Sequence, residues 1–128
     1  MIDDLRPALA KALAAARYAD LPAVEEGTWY RTPALKVGGK GFARVKDAGT
    51  LVLMCALEEK ELLLQAAPDI YFETDHYKGW PAVLVRLDRI GEAELALRLE
   101  HAWRRTAPRR LLAARDGVHP DGNSTSRA

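Results

Sequence analysis

The sequence predicts an α+β domain in which helices pack on one antiparallel five-stranded sheet, in the order α-β-β-β-α-β-β-α. Side chains are expected to alternate between inward and outward over residues 34–37 and again over residues 42–45, with Gly38-Gly39 between them. A Gly-Gly pair takes the positive φ angles of a tight turn, so this stretch indicates a β-hairpin. Strands joined by short turns and covered by amphipathic helices form a two-layer antiparallel architecture.

Three helices follow from apolar residues at helical spacing. The first ends near residues 18–20, ahead of Pro22, and its stripe consists of Leu5, Leu9, Ala12, Leu13 and Ala16. The second covers residues 57–66 and ends before Pro68. The third opens after Gly91 and is ended or kinked by Pro108; its inward residues are Leu95, Leu99, Ala102 and Trp103. We expect all three to pack on the sheet.

The remaining strands are predicted at residues 50–55, 70–73 and 82–87, which are rich in Val, Leu and Tyr. With the hairpin these make five strands. Period-2 alternation assigns one set of side chains to a single packed layer with Leu9, Leu13, Leu95 and Leu99 of the helices. The strand residues of that layer are Leu35, Val37, Leu51, Leu53, Val83 and Val85.

Length and composition favour one domain over residues 1–115, followed by a disordered tail at residues 116–128. The chain has 128 residues, 48% of them hydrophobic. The tail carries no series of core residues. The acidic start and the lack of any run of about 18 apolar residues predict neither a signal peptide nor a membrane partner. With the single cysteine, Cys55, these features predict a cytoplasmic protein.

Positive charge is concentrated near the C-terminus, although the net charge of the whole chain is only +1. Residues 98–115 hold six arginines against the single acidic residue Glu100, whereas residues 1–97 are net acidic. Arg98 and Arg105 are seven positions apart and therefore share one side of the third helix. This distribution suggests either an anion-binding helix or cations that complement the dipole at the helix C-terminus.

Catalytic residues, metal ligands and cofactor motifs are not predicted. Both serines, Ser124 and Ser126, lie in the tail, so a rigid serine triad is excluded within the domain. Cys55 alternates with leucines on its strand and is expected to be a buried, inert thiol rather than the partner of His76. The three histidines, His76, His101 and His119, have no metal-ligand spacing.

A mixed aromatic and cationic surface is the better candidate for binding. Two blocks of sequence supply it, and both lie at strand entries. Such a mixture can stack bases or hold an anionic small molecule. Alternatively, the aromatic rings only close the face and edge of the sheet. The candidate ligand-surface residues are Thr28, Trp29, Tyr30, His76, Tyr77 and Trp80.

The same two blocks resemble the MmcQ/YjbR family of small bacterial proteins, and the resemblance runs over roughly residues 2–112. The first block reads Glu-Glu-Gly-Thr at residues 25–28, Thr-Pro-Ala at 32–34, Lys-Val-Gly-Gly-Lys at 36–40 and Phe-Ala-Arg at 42–44. The second reads Thr-Asp-His-Tyr-Lys-Gly-Trp-Pro at residues 74–81. The resemblance implies the same α+β fold and, because the family is often labelled DNA-binding, a non-catalytic nucleic-acid-binding accessory protein.

Three functions remain open at this stage. The first is binding of DNA, with contacts expected from Arg98, Arg105, Arg109, Arg31, Lys36 and Lys78. The second is a small-molecule-binding or self-resistance protein that uses the aromatic surface as a pocket, because the family includes a member from an antibiotic gene cluster. The third is a protein-interaction module, by analogy with related α+β folds. Neither the oligomeric state nor the choice between DNA and RNA follows from the sequence.

Overall fold

A computed structural model describes residues 4–117 of the chain. These residues form four α-helices and six strands, and a short 3-10 helix, Asp75–Tyr77, precedes the last strand. The helices are α1 Arg6–Tyr18, α2 Leu57–Ala66, α3 Glu92–Thr106 and α4 Arg109–Arg115. The strands are β1 Glu25–Trp29, β2 Thr32–Val37, β3 Lys40–Asp47, β4 Thr50–Met54, β5 Tyr71–Phe72 and β6 Ala82–Arg86.

All strands belong to one antiparallel sheet with the order β1-β2-β3-β4-β6-β5. The α+β class and the antiparallel pairing are confirmed. The prediction of five strands in the order α-β-β-β-α-β-β-α is wrong, because the sheet has six strands and a fourth helix follows α3. The missing strand is β1, whose sequence Glu-Glu-Gly-Thr-Trp lacks the apolar alternation of a half-buried strand.

The turn between β1 and β2 explains why that hairpin is hard to see in the sequence. Trp29 pairs with Thr32, so Tyr30 and Arg31 form a two-residue loop. Both have positive φ angles, 54° and 68°. Such turns normally carry Asn or Gly, since bulky side chains at positive φ are strained by about 1–3 kcal/mol each. By contrast, the predicted Gly38-Gly39 turn between β2 and β3 is confirmed.

One face of the sheet packs against the helices and forms the main core. The predicted layer is confirmed, because its six strand residues and Leu95 and Leu99 are buried in one cluster, with Leu9 and Leu13 packed against it. Helix α1 contributes mainly alanines, namely Ala8, Ala12, Ala15 and Ala16. Small side chains let α1 approach the sheet and α3 closely. The indole of Trp103 is buried as well and donates a hydrogen bond to the carbonyl of Pro22 at 3.0 Å.

Helix α4 closes the described part of the domain after Pro108. Its residue Arg115 donates to the backbone carbonyls of Ala19 and Asp20, at 2.7 and 2.8 Å, where α1 ends. Asp116 forms an ion pair with Arg104 at 2.9 Å. The predicted tail otherwise lies outside the described residues. None of the helices within residues 4–117 is long and apolar enough to cross a membrane.

Candidate ligand-binding site

The second face of the sheet carries the candidate site. Side chains that alternate with the core residues of β3, β4 and β6 point to this side, and we call it the open face. It has a small apolar cluster of its own around Val52, Ala82 and Leu84. The segment with the 3-10 helix lies beside this cluster, since Tyr77 packs against it. The segment that contains the short 3-10 helix therefore covers part of the open face.

An aromatic pocket of about 400 Å³ lies on the open face. It brings the two predicted sequence blocks together, although residues 45–73 lie between them in the chain. Its lining consists of Trp29, Tyr30, Arg44, Val52, Met54, His76, Tyr77, Trp80 and Ala82. Trp29 and Tyr30 stack on each other with ring centroids 5.6 Å apart, and His76 lies parallel to Trp80 at 6.4 Å. Exposed π-faces thus converge from the β1–β2 turn and from the β5–β6 segment.

Arg44 lies in this pocket and is only 9% exposed. Its guanidinium donates to the hydroxyl of Thr32 at 2.9 Å and to the hydroxyl of Tyr77 at 2.8 Å. It also lies 5.5 Å from the centre of the Tyr30 ring. No carboxylate among the described residues forms an ion pair with it. Because buried charges are normally paired, the pocket has an unneutralised positive charge.

Lys60 of α2 holds the second sequence block, residues 74–81, in place. Its ammonium group is buried and makes three contacts: the carboxylate of Glu73 at 2.9 Å and the backbone carbonyls of Tyr77 and Trp80 at 2.6 and 3.0 Å. These use all three donors of the ammonium group. Lys60 therefore fixes the loop that presents His76, Tyr77 and Trp80 to the pocket.

A second, cationic pocket of about 480 Å³ adjoins the first. It lies where the β2–β3 turn meets the C-terminal end of α3, and its cations are Lys36, Lys40 and Arg105. Trp29 and Met54 line both pockets, so the two pockets are adjacent and share a wall. Gly41 lets the Trp29 ring lie close against β3, because a Cβ at this position would lie 2.5 Å from the ring.

The comparison with known proteins agrees with the two sequence blocks. The sequence profile of the YjbR family matches residues 19–105. The chain belongs to the YjbR family. This range contains β1 to β6, most of α3 and every residue that lines the two pockets except Thr106. The predicted family resemblance is thereby confirmed.

Three curated relatives match 71 residues of this chain at 42% identity. They are uncharacterised proteins of Mycobacterium bovis and of two strains of Mycobacterium tuberculosis. The match covers 56% of this chain and 48% of each relative, so the chain spans about half the length of the curated relatives it matches. No solved structure gave a significant match.

The cations predicted to contact nucleic acid are divided among three environments. Arg98 is 16% exposed and pairs with Glu59 of α2 at 2.7 Å, a carboxylate that His101 also contacts at 2.9 Å. Lys36 and Arg105 line the cationic pocket. The other three are exposed: Arg109 on α4, Arg31 in the β1–β2 turn and Lys78, which lies 3.5 Å from Asp75.

Thr28 is exposed on β1 and does not line either pocket. The other five predicted ligand-surface residues line the aromatic pocket. Cys55 is buried with the helix-covered core, as predicted, and burial raises the pKa of its thiol to about 11. A thiol in that state is a poor nucleophile at neutral pH.

Three charged residues at the site were not selected by the sequence analysis, namely Lys40, Arg44 and Lys60. Arg44 lies inside the quoted Phe-Ala-Arg stretch, and strand alternation with its core neighbours Ala43 and Val45 places it on the opposite face. That pattern could have indicated a cation on the open face. The contacts of Lys60 with Tyr77 and Trp80 span 17 and 20 positions, and no local pattern signals them.

Proposed function

We propose that this protein is a non-catalytic nucleic-acid-binding protein whose groove takes up a single strand. The observation that carries the proposal is the shared wall of the two pockets: an aromatic pocket and a cationic pocket meet at Trp29 and Met54. Proteins that bind single-stranded nucleic acid typically combine aromatic side chains that stack on bases with cations that contact the phosphate backbone.

A single strand fits this groove better than a duplex, because bases can stack on protein rings only when they are unstacked from their neighbours. Phosphates are assigned to Lys36, Lys40 and Arg105, which line the cationic pocket together with no acidic residue. Arg98 is given no phosphate, since its charge is already paired with Glu59. The proposal thus keeps Lys36 and Arg105 as predicted phosphate contacts, adds Lys40 and gives up Arg98.

Salt dependence of oligonucleotide binding tests the proposal. A labelled mixed-sequence single strand and its duplex are titrated by fluorescence anisotropy from about 50 to 200 mM salt. Over this range, rising salt strongly weakens binding that depends on phosphate contacts. We expect the single strand to bind more tightly. Replacing Lys40 and Arg105 by Gln should lower the slope of log K against log salt by about 1.4, since each single-strand phosphate contributes roughly 0.7.

The matched control replaces Lys46 and Arg89 by Gln, which removes the same charges from exposed positions outside both pockets. Its slope should equal that of the wild type. Arg98→Gln is a second arm, and a reduced slope in that variant would restore α3 as the contact. The absence of binding to either form of nucleic acid at about 50 mM salt would rule the proposal out.

A small-molecule-binding protein is the second candidate, and the form of the aromatic pocket favours it. Ligand sites in proteins measure roughly 300–1,000 Å³ and combine apolar walls with a few polar groups. The aromatic pocket falls in this range at about 400 Å³, with Arg44 among its polar groups. A screen of aromatic anions by thermal shift would test this candidate, and a hit that competes with the oligonucleotide would place both ligands in one groove.

A further inference from the structure

We infer that the aromatic pocket holds one nucleotide unit, with its phosphate on Arg44 and Tyr77 and its base against the surrounding rings. The inference rests on the proposed function, because it assigns a specific subsite within the proposed groove. It depends on the charge of Arg44, the donor left free on Tyr77 and the position of the rings.

The charge of Arg44 requires an anion. Arg44 as a whole residue is only 9% exposed, and the two hydrogen-bond acceptors of its guanidinium are neutral hydroxyls. The Tyr30 ring at 5.5 Å compensates part of the charge through its π-face. Arginine presents five N–H donors in a planar fork that suits phosphate oxygens. Two of these donors are occupied, so the fork retains donors for a ligand.

Tyr77 supplies a neutral donor beside this charge. Its hydroxyl oxygen accepts a hydrogen bond from Arg44, so its own hydrogen is free to point elsewhere. The hydroxyl of Thr32 is different, because it already donates to the carbonyl of Trp29 at 3.2 Å. A phosphate on Arg44 would therefore meet a second donor from Tyr77 and none from Thr32.

The rings around Arg44 fit the rest of a nucleotide. Tyr30 is 71% exposed and lies over Arg44, and Trp80 is 55% exposed on the opposite block. Exposed apolar patches that polar residues border often mark binding sites. The backbone at Tyr30 is also strained at a φ of 54°, and such strain is often found at binding sites. A base stacked on these rings lies within reach of a phosphate on Arg44.

The chemistry of a base with a phosphate has two sources, a nucleic-acid strand and a free nucleotide. The experiment follows quenching of the fluorescence of the two pocket tryptophans, Trp29 and Trp80, with the buried Trp103 as a constant background. The probes are a nucleoside 5′-monophosphate, the same nucleoside without phosphate, inorganic phosphate and a single-stranded oligomer of that nucleotide. The variants are Arg44→Gln, Tyr77→Phe and, as matched control on the same face, Arg86→Gln, which lies over the ring of Phe72 at 4.0 Å.

We expect the monophosphate to bind more tightly than the nucleoside or inorganic phosphate alone. Arg44→Gln should weaken it by about 10- to 100-fold, the size of a charge-assisted hydrogen bond, and Tyr77→Phe by about fivefold. Arg86→Gln should bind like the wild type. Equal affinity of Arg44→Gln and the wild type for the monophosphate and the oligomer would overturn the inference.

The failures of the two proposals are distinguishable. If the oligomer binds and Arg44→Gln does not weaken it, the groove binds nucleic acid without this subsite. If the monophosphate binds through Arg44 and the oligomer does not, the subsite is correct and its source is a free nucleotide. Should Arg44→Gln fail to fold, Tyr77→Phe decides: a loss confined to the phosphorylated probes supports the inference, and unchanged affinity for them overturns it.

Discussion

Lys60 and Arg44 are the two charged residues that are buried within residues 4–117, and their surroundings differ. Lys60 has a carboxylate and two carbonyls, so every donor of its ammonium group is used. Arg44 has two neutral hydroxyls and an aromatic ring. Lys60 is therefore a fully paired structural cation, whereas Arg44 has no carboxylate partner among the described residues.

The same contrast applies to the two faces of the sheet. On the helix-covered face the polar groups Cys55 and Tyr71 are neutral, and the Tyr71 hydroxyl donates to Glu94 at 2.5 Å. On the open face Arg44 and Arg86 both lie over aromatic rings and neither forms an ion pair within the described residues. One face thus holds neutral buried polar groups, whereas the other holds cations over aromatic rings, the surface to which we assign binding.

The largest expected effect is that of Lys60→Met. Removing one member of a buried ion pair costs about 3–5 kcal/mol, and we expect about 2–4 kcal/mol here because Glu73 can turn toward water. Its side chain is 27% exposed. Urea denaturation measures the free energy of unfolding, with Lys78→Met, an exposed lysine, as the control. A loss below about 1 kcal/mol, the range of a surface pair, would show that Lys60 is not a structural group.

Alkaline pH tests the neutral groups of the helix-covered face. Burial raises the pKa of Cys55 to about 11, and burial together with the hydrogen bond to Glu94 raises that of Tyr71. In the unfolded chain the thiol ionises near pH 8.5, so its stabilising effect is complete below that pH and is lost as the pH rises through 11.

We expect this alkaline loss to reach about 3 kcal/mol for the thiol, at 1.36 kcal/mol per pKa unit over the shift from about 8.5 to about 11. Unfolding free energies measured from pH 8 to 11 should show a smaller decline in Cys55→Ala than in the wild type. Tyr71 is intact in both proteins, so its share of the decline cancels. Parallel curves for the two proteins would mean that the thiol is in contact with water.

The strained turn on the open face gives an effect of about 1 kcal/mol in the opposite direction. Arg31 has a φ of 68°, which glycine adopts without steric cost, so Arg31→Gly should stabilise the fold. Arg31→Ala is the control, because it removes the same side chain and keeps the strain. Thermal unfolding of both variants should rank Gly above Ala, and the reverse order would show that the side chain of Arg31 supports the turn.

The smallest expected change in stability is that of Arg44→Met. The substitution removes a buried charge that has no counter-charge, so we expect the unfolding free energy to stay within about 1 kcal/mol of the wild type. Nucleotide binding should be lost at the same time. A destabilisation as large as that of Lys60→Met would mean that the hydroxyls of Thr32 and Tyr77 complete the environment of Arg44 without a ligand.

The sequence by itself determined the α+β class, most helix and strand positions, the helix-covered core and the family. These depend on local periodicity, on turn residues such as Gly38-Gly39 and on two contiguous blocks, all of which are visible along the chain. It also identified five of the residues that line the aromatic pocket. It did not reveal β1, because the β1–β2 turn uses Tyr30 and Arg31 where such turns usually have Asn or Gly.

Only the tertiary structure decided which charges are available for binding. The arginines of α3 look alike along the chain, yet Arg98 is paired with Glu59 and Arg105 lines the cationic pocket. Arg44 stands 33 positions from Tyr77, and its lack of a carboxylate is visible only when all neighbours are in place. Ion pairs join residues far apart in sequence, and the energy of a charge depends on its burial and on every group around it, so no local pattern encodes it.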